Sequence, residues 1–194
     1  MSKNRLETFS DALMAIIMTL LVLELKVPII TAHTTLLQYF DQLKPIFPKI
    51  LTFVLTFVLI AVHWVSHHYL FVNLKSVPLG LVWLNNLFLL WICFMPFPTA
   101  MLGNNPTDQF PIILYGVNQL LAALTFLGFR IYAKSNSLFV SKSAAKAMAP
   151  LHSLPAVGIY ILSILLSFVS VYLAMICFVI VPALYFIPNF IRFK

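Results

Sequence analysis

Long apolar stretches separated by short polar ones make up almost the whole chain, and their lengths predict helices that cross a membrane. A helix needs about 20 apolar residues to span the ~30 Å hydrocarbon core of a bilayer. The first four such helices are predicted over about Glu7 to Leu25, Pro48 to Phe71, Leu79 to Phe97 and Phe110 to Tyr132. Prolines limit the first and third of them, because Pro28, Pro96 and Pro98 disfavour or break the helix around them.

The last apolar stretch, Pro155 to Phe190, is too long for a single crossing. At 1.5 Å per residue, its roughly 36 residues would form a helix of about 54 Å. We therefore expect a tight turn near Ser167 to Ser170, with a fifth helix before it and a sixth from about Val171 to Ile187 that bends at Pro182. The predicted fold class is an all-α integral membrane protein with six transmembrane helices, forming one domain over residues 1–194.

The polar connections predict smaller elements. The segment from Ile29 to about Pro45 has the composition of a loop that contains a short interfacial helix, and Gly103 to Pro106 is a turn by composition. The basic segment from Lys134 to Leu154 has Lys142 and Lys146 one helical turn apart, which indicates a loop with a turn lying on the membrane surface.

Composition supports the membrane assignment and excludes several classes of protein. The chain is 62% hydrophobic and 9% charged, with a mean hydropathy of +1.01, which leaves no stretch for a soluble domain. The net charge of +7 does not indicate nucleic-acid binding, because the basic residues lie in loops and at helix ends. Cys93 and Cys177 lie in apolar runs, where cysteine behaves as a small hydrophobic residue.

The basic residues also predict the orientation of the chain. With six crossings, one side of the membrane holds nine of them and the other side holds Lys26, Lys44 and Lys49. The nine are Lys3, Arg5, Lys75, Arg130, Lys134, Lys142, Lys146, Arg192 and Lys194. Because cytoplasmic loops are enriched in lysine and arginine, both termini are predicted to be cytoplasmic in a multi-pass protein of the cell membrane.

Asp11 is the most unusual residue of the first helix, because it lies just inside an apolar run that continues to Leu23. A charge inside hydrocarbon costs roughly 2.5–3.5 kcal/mol even on lenient scales, so such a residue normally faces protein or water. Asp11 either lines an ion path or belongs to a buried polar network. We favour the network, since Arg5, Ser10, the histidines of the second helix and the asparagines of the third are predicted at a similar depth.

Ile16, Leu20 and Leu23 form one stripe along the first helix, with Thr19 beside it. Stripes of this kind are common in the ordinary packing of membrane helices, and that interpretation stays open. His63 and His67 are one turn apart in the second helix and could bind a metal, but no third ligand is apparent. A hydrogen-bonded pair is favoured, proton sensing stays open, and no metal site is predicted.

Motifs of catalysis are absent from the sequence. No nucleophile elbow, paired-carboxylate arrangement or phosphate-binding glycine loop occurs, so the chain is not predicted to be an enzyme. The T-V-G-Y-G sequence that builds the carbonyl filter of ordinary potassium channels is absent too.

The first helix opens with Arg5, three intervening residues and Phe9-Ser10-Asp11, followed by Ala12-Leu13 and a run from Ala15 to Leu20. This start resembles the R-x-x-x-F-S-D signature and first helix of the transmembrane protein 175 family, whose members are potassium-permeable channels. Further residues are similar to the polar braces of the first helix in that family, namely His63, Trp64, His67, Trp83, Asn85, Pro96, Phe97 and Thr99. Its single-repeat, prokaryotic members are the ones that this chain resembles.

The resemblance implies a potassium-permeable leak channel in which the first helices of a symmetric homo-oligomer, a tetramer in the family, line a central pore. It implies that Ile16, Leu20 and Leu23 form apolar constrictions, with the Thr19 hydroxyl near the narrowest part, and that Arg5, Phe9, Ser10 and Asp11 join the network with His63, Trp64, His67 and Asn85. Its partners would be the bilayer and monovalent cations, with permeant K⁺ in place of any cofactor. The alternative function is a small proton-coupled secondary transporter that uses Asp11 and the histidines as a relay.

Overall fold

The computed structural model describes residues 2–27 and 35–186, and these residues form an all-helical bundle. The α-helices of this part of the chain are α1 (Lys3–Leu20), α2 (Leu36–Leu43), α3 (Phe47–Val72), α4 (Leu79–Phe94), α5 (Pro96–Asn104), α6 (Gln109–Ser135), α7 (Lys142–Ala147), α8 (Leu154–Leu166) and α9 (Val171–Phe186). The all-helical fold class predicted from the sequence is confirmed.

Five helical segments of the described residues are long and apolar enough to cross a membrane, and a sixth, Val171–Tyr185, is apolar but shorter. The second segment spans α2 and α3, the third combines α4 with α5, and the fifth combines α7 with α8. Each of the six predicted crossings therefore has its helical segment.

The helix α1 begins at Lys3, about four residues before the position expected from the apolar pattern. Its polar first turns are helical because Arg5 and Glu7 are good helix formers whose side chains need not be buried. At its other end the helix continues into one 3₁₀ turn, Leu21–Glu24. Pro28, which was expected to limit the helix, lies outside the described residues.

The third crossing extends to Asn104, beyond the end predicted at Phe97. Pro96 has no N–H group to donate to the carbonyl of Ile92, which accepts from the N–H of Met95 at 3.2 Å instead. The chain makes a local break at Met95 and then resumes as α5. The two prolines therefore interrupt the helix but do not end the crossing.

The predicted turn within the last apolar stretch is confirmed, since α8 ends at Leu166 and α9 begins at Val171. The Ser163 hydroxyl donates to the carbonyl of Ala174 at 2.9 Å and holds the two helices together. Pro182 lies inside α9, and the bend expected there stays a prediction. The short helix α2 lies in the connection that was predicted to contain one, whereas the basic segment predicted as a loop with a surface turn contains the six-residue helix α7.

Two hydrophobic clusters fill the bundle. One lies between α1, α3, α4 and α6 and includes Phe71, Phe88 and Phe129. The other lies between α3, α6, α8 and α9, around Tyr115, Tyr160 and Phe178. Because α3 and α6 contribute to both clusters, they form the centre of the bundle, and α1 packs at its side against α3 and α4.

Candidate pore face and polar braces of the first helix

The helix α1 has one face buried against its own chain and one face left open. The buried side chains are Leu6, Ser10, Met14 and Ile17, followed by Leu21 in the 3₁₀ turn, and all are 7% exposed or less. Ile16, Leu20 and Leu23 are 56%, 41% and 69% exposed. We call these the inner face and the outer face of α1.

A chain of three hydrogen bonds attaches the inner face to α3 and α4. His67 Nε2 lies 2.9 Å from Asn85 Oδ1, and Asn85 Nδ2 donates to Ser10 Oγ at 3.0 Å. The Ser10 hydroxyl is 2.9 Å from the carbonyl of Leu6, closer than to Asn85 Oδ1 at 3.2 Å. Since an amide oxygen only accepts, His67 must donate from Nε2, and the direction of the chain is fixed from His67 through Asn85 and Ser10 to Leu6.

Aromatic rings enclose His67 on several sides. Its ring stacks on Phe71 with centroids 4.2 Å apart and on Phe88 at 5.9 Å, and Phe129 meets it edge-on at 6.2 Å. His67 Nδ1 is buried without a hydrogen-bond partner among the described residues. Because Asn85 Oδ1 can only accept, the ring proton of neutral His67 is on Nε2 and Nδ1 is an unprotonated acceptor. The rings around His67 are apolar. His67 is therefore positioned as a rigid donor that orients Asn85.

Asp11 and Glu7 lie at the border between the two faces, and both reach α3. The indole N–H of Trp64 donates to Asp11 Oδ1 at 3.0 Å. His68 Nδ1 lies 3.1 Å from Glu7 Oε1. Each carboxylate close to the start of the apolar run thus has a partner on α3, which lowers the cost of placing it there.

His63, which the sequence placed in the network with Asp11, points to a different part of the bundle. Its Nε2 lies 3.4 Å from Gln119 Oε1 on α6, and Gln119 Nε2 contacts Met95 Sδ at 3.7 Å. His63 and His67 therefore bind different partners. No group of three histidine, cysteine, aspartate or glutamate side chains in residues 2–27 and 35–186 is arranged to hold a metal ion.

A second buried polar chain contains Thr99, which the sequence placed among the braces of the first helix, together with Thr56 and Tyr115, which the sequence analysis missed. Thr99 Oγ1 donates to the carbonyl of Met95 at 2.7 Å, so it accepts from Thr56 at 3.0 Å, and Thr56 in turn accepts from the Tyr115 hydroxyl at 2.9 Å. The chain joins α5, α3 and α6 at the proline break. Single threonines in apolar helices give little signal in a sequence, since they also bond back to their own helix.

Arg5 and Phe9 lie on the outer side of α1. Neither side chain belongs to the series of hydrogen bonds that links Ser10 to Asn85 and His67. Phe9 is 53% exposed and Arg5 is exposed as well. The predicted network is therefore divided: Ser10, His67 and Asn85 form its buried part, Asp11 and Trp64 its border, and Arg5 and Phe9 face away from the bundle.

On the outer face, Thr19 Oγ1 bonds to the carbonyl of Ile16 at 2.7 Å, which leaves the oxygen lone pairs of the hydroxyl open to the outside. Leu20 and Leu23 are separated by the start of the 3₁₀ turn. Side chains three residues apart eclipse each other in a 3₁₀ helix. The change of helix type therefore keeps these two leucines in line with each other.

This pattern of helices has counterparts among known proteins. The model of the family described as endosomal/lysosomal potassium channel TMEM175 matches residues 5–96, which contain α1 from Arg5 onward, the start of the proline break and the two residues that bond to Ser10, Leu6 and Asn85. A protein named as a potassium channel from Chryseobacterium sp. (strain P1-3) is 30% identical over 97% of this chain and 95% of its own length. A potassium channel from Chamaesiphon minutus is 32% identical over 94% of this chain and 92% of its own length.

The fold has a close counterpart among solved structures as well. The crystal structure of a lysosomal potassium-selective channel TMEM175 homolog from Chamaesiphon minutus matches with a TM-score of 0.82 and 30% identity, over 97% of both chains. Fold and sequence together define a multi-pass membrane protein of the ion-channel class, not an enzyme. The chain belongs to the TMEM175 family of potassium channels.

Proposed function

We propose that identical copies of this chain assemble around a central axis as a tetramer, with the outer faces of α1 lining a pore that leaks K⁺ and similar monovalent cations across the cell membrane. The observation that supports this most directly is the division of α1 into an inner face bonded to α4 and an open outer face. A single helix cannot enclose a pore, whereas rotational symmetry repeats it around an axis and closes the wall.

The composition of the outer face favours contact with protein and water over contact with lipid. Its exposed positions include Arg5, Thr8, Ala12, Ala15 and Thr19, which are charged, polar or small. A lipid-facing surface needs no small residues, whereas alanine and threonine allow close approach between membrane helices. The exposed arginine and threonines also gain more from water than from hydrocarbon.

Ile16, Leu20 and Leu23 are the residues that we assign to the constriction. At 1.5 Å per residue, Ile16 and Leu20 are about 6 Å apart along the helix axis, and the 3₁₀ turn places Leu23 about 6 Å further on. Four copies would form three stacked apolar rings. Water leaves a narrow apolar passage, so these rings would limit conduction without a moving plug.

Selectivity in this proposal comes from side chains and from the dehydration of the ion. The sequence has no T-V-G-Y-G filter, and the Thr19 hydroxyl is the polar group closest to the three rings on the outer face. The channel would need no cofactor, since K⁺ is the species that permeates. A relay through Asp11 and the histidines is not favoured, because Asp11, His63 and His67 bind three different partners.

Ion flux into liposomes tests the assignment of the pore. Ile16→Asn adds a polar group to the outer face and should wet the constriction, which would raise the basal K⁺ leak and weaken selectivity against Na⁺. Leu21→Asn is the matched control, because Leu21 is 1% exposed on the inner face. That variant should impair folding instead. If Ile16→Asn forms an intact oligomer with unchanged leak and selectivity, α1 does not line the pore.

The cytoplasmic placement of both termini is part of the proposal and rests on the excess of basic residues at one end of the bundle. Single cysteines at Ser2 and Asn104 can be labelled with an impermeant reagent on intact cells, in a background that lacks the exposed Cys93. Labelling is expected at Asn104 only. Labelling at Ser2 alone would reverse the orientation and leave the pore assignment untouched.

A further inference from the structure

The two ends of the helical bundle differ in charge. One end has Lys26, Lys44 and Lys49, and among the described residues it also has the acidic Glu24, Asp41 and Asp108. The other end, which we call the basic end, has two acidic residues near it, Glu7 and Asp11. Its described basic residues are Lys3, Arg5, Lys75, Arg130, Lys134, Lys142 and Lys146. Positive charge is therefore balanced at one end and in excess at the other.

The excess is greatest in the second half of the chain. Residues 109–194 contain no aspartate or glutamate. Arg130 and Lys134 are four residues apart on α6, and Lys142 and Lys146 are four apart on α7. Like charges at this spacing lie on the same side of a helix and repel each other. Neither pair has a carboxylate on its own element.

Arg130 is the member of this group whose surroundings are most unusual. It is 8% exposed, its guanidinium carbon lies 5.2 Å from the ring centre of Phe126, and Nη1 donates to the carbonyl of Ala149 at 3.3 Å. Its Nε is buried without a hydrogen-bond partner among the described residues. The helices that contact α6 include α3, α4, α5, α8 and α9, and none of these contains an acidic residue. A charge buried in this way needs an anion, and none of these helices supplies one.

The segment from α7 to the start of α8, which contacts Arg130 through the Ala149 carbonyl, has the character of a membrane-surface element. In α7, Ala144 is buried against the bundle while Lys142 and Lys146 are exposed. Leu151 is 70% exposed directly before α8, which enters the apolar part of the bundle. Exposed lysines next to an exposed leucine at the start of a crossing are typical of a segment that contacts headgroups and acyl chains together. A soluble anion would use only the lysines.

We propose that the exposed Lys134, Lys142 and Lys146, together with the buried Arg130, bind the phosphate of an anionic phospholipid headgroup at the basic end of the bundle. The ammonium groups would donate charge-assisted hydrogen bonds to the phosphate oxygens. Arg130 would add its charge and hold the segment that follows α7 through the Ala149 carbonyl. The site requires a chain embedded in a bilayer but neither a pore nor a particular orientation.

The test is lipid binding to the purified full-length protein. Phosphatidylglycerol is titrated into the protein in neutral detergent, and native mass spectrometry counts the bound lipid. For Lys142→Gln/Lys146→Gln we expect about 30-fold weaker binding, from the loss of two charges near the headgroup. Lys26→Gln/Lys44→Gln removes two charges from the opposite end and should bind like the wild type. All four lysines are exposed, so both variants are expected to fold.

Each result of this titration decides the proposal. Unchanged binding in Lys142→Gln/Lys146→Gln, or an equal loss in both double variants, would overturn it, because the effect would then be absent or due to net charge alone. Inorganic phosphate is added in a further arm. If it binds with the same dependence on the lysines and displaces phosphatidylglycerol completely, the site takes a free anion and the assignment to a lipid fails. Since none of these measurements uses ion flux, their outcome is independent of the pore.

Discussion

The two faces of α1 belong to the same stretch of sequence, but the inner face is bonded to α4 and the outer face has no such contact among the described residues. On the inner face, Ser10 is fully buried and receives a hydrogen bond from Asn85, which His67 orients. On the outer face, Ile16 and Leu23 are more than half exposed. Residues within one turn of α1 can therefore lie either on the buried face that packs against the same chain or on the exposed face.

This difference separates two kinds of experiment. A change on the inner face should alter the stability of the single chain, because its partners are already present there. A change on the outer face should alter what happens between copies or in the pore and should leave the fold of one chain intact. Substitutions of neighbouring residues on the two faces can therefore test whether the faces differ in this way, because the sequence around them is the same.

The largest effect is expected from Asn85→Leu, which removes the link between the inner face and α3. His67 would lose its hydrogen bond, and Ser10 would keep only its bond to the carbonyl of Leu6. A buried donor left without a partner costs about 1–3 kcal/mol, so thermal stability in detergent should fall and less folded oligomer should be recovered.

Asn86→Leu is the control for this prediction, since Asn86 is the next residue on α4 and is exposed. It should leave stability close to that of the wild type. Should Asn85→Leu be as stable as Asn86→Leu, the inner face is held by apolar packing alone and the two faces differ less than the structure indicates.

Much of this architecture could be predicted from the sequence, because the signals involved were local. Apolar length gave the crossings, the length limit of a single helix gave the turn between α8 and α9, and the position of Asp11 in an apolar run indicated a partner. The sequence did not predict in which direction each side chain of the network points. Arg5 and Phe9 lie four residues apart and face outward, whereas Ser10, adjacent to Phe9, faces inward.

What the sequence did not predict depends on contacts between distant residues or on the hydrogen bonding of the backbone. His63 and His67 look equivalent in the sequence, but one meets Gln119 of α6 and the other meets Asn85 of α4. The break at Met95 does not end its helix, because the Thr99 N–H bonds to the Met95 carbonyl at 3.1 Å and the helix resumes. The 3₁₀ turn after Leu20 has no proline or glycine within it to mark it.

An effect of intermediate size is expected at the border of the two faces. Trp64→Phe removes the indole N–H that binds Asp11 while retaining an aromatic ring. Because Trp64 is 42% exposed, the loss should be about 1 kcal/mol in thermal or chemical stability. Trp83→Phe is the matched control, since Trp83 is 66% exposed.

Asp11→Asn tests whether the hydrogen bond or the charge of Asp11 matters, because an asparagine oxygen can still accept from the Trp64 indole. It should be milder than Trp64→Phe in the same stability measurement. A variant Asp11→Asn that is fully stable but loses K⁺ flux would show that the carboxylate acts on the ion, and the border would then belong to the outer face.

The smallest effect is expected from Thr19→Val, which replaces a hydroxyl of the outer face by a methyl group of nearly the same size. The bond from Thr19 to the Ile16 carbonyl lies within the helix and is exposed, so stability should not change. One hydrogen-bonding group lost near the constriction corresponds to about a two- to tenfold change in the preference for K⁺ over Na⁺, measured as the ratio of liposome fluxes.

Thr8→Val is the control, because Thr8 lies eleven residues before Thr19, on nearly the same face of α1 and about 16 Å away along the axis. If both variants reduce the preference equally, the selectivity arises along the whole outer face and not at the three rings. If neither does, dehydration at Ile16, Leu20 and Leu23 alone must distinguish the two ions.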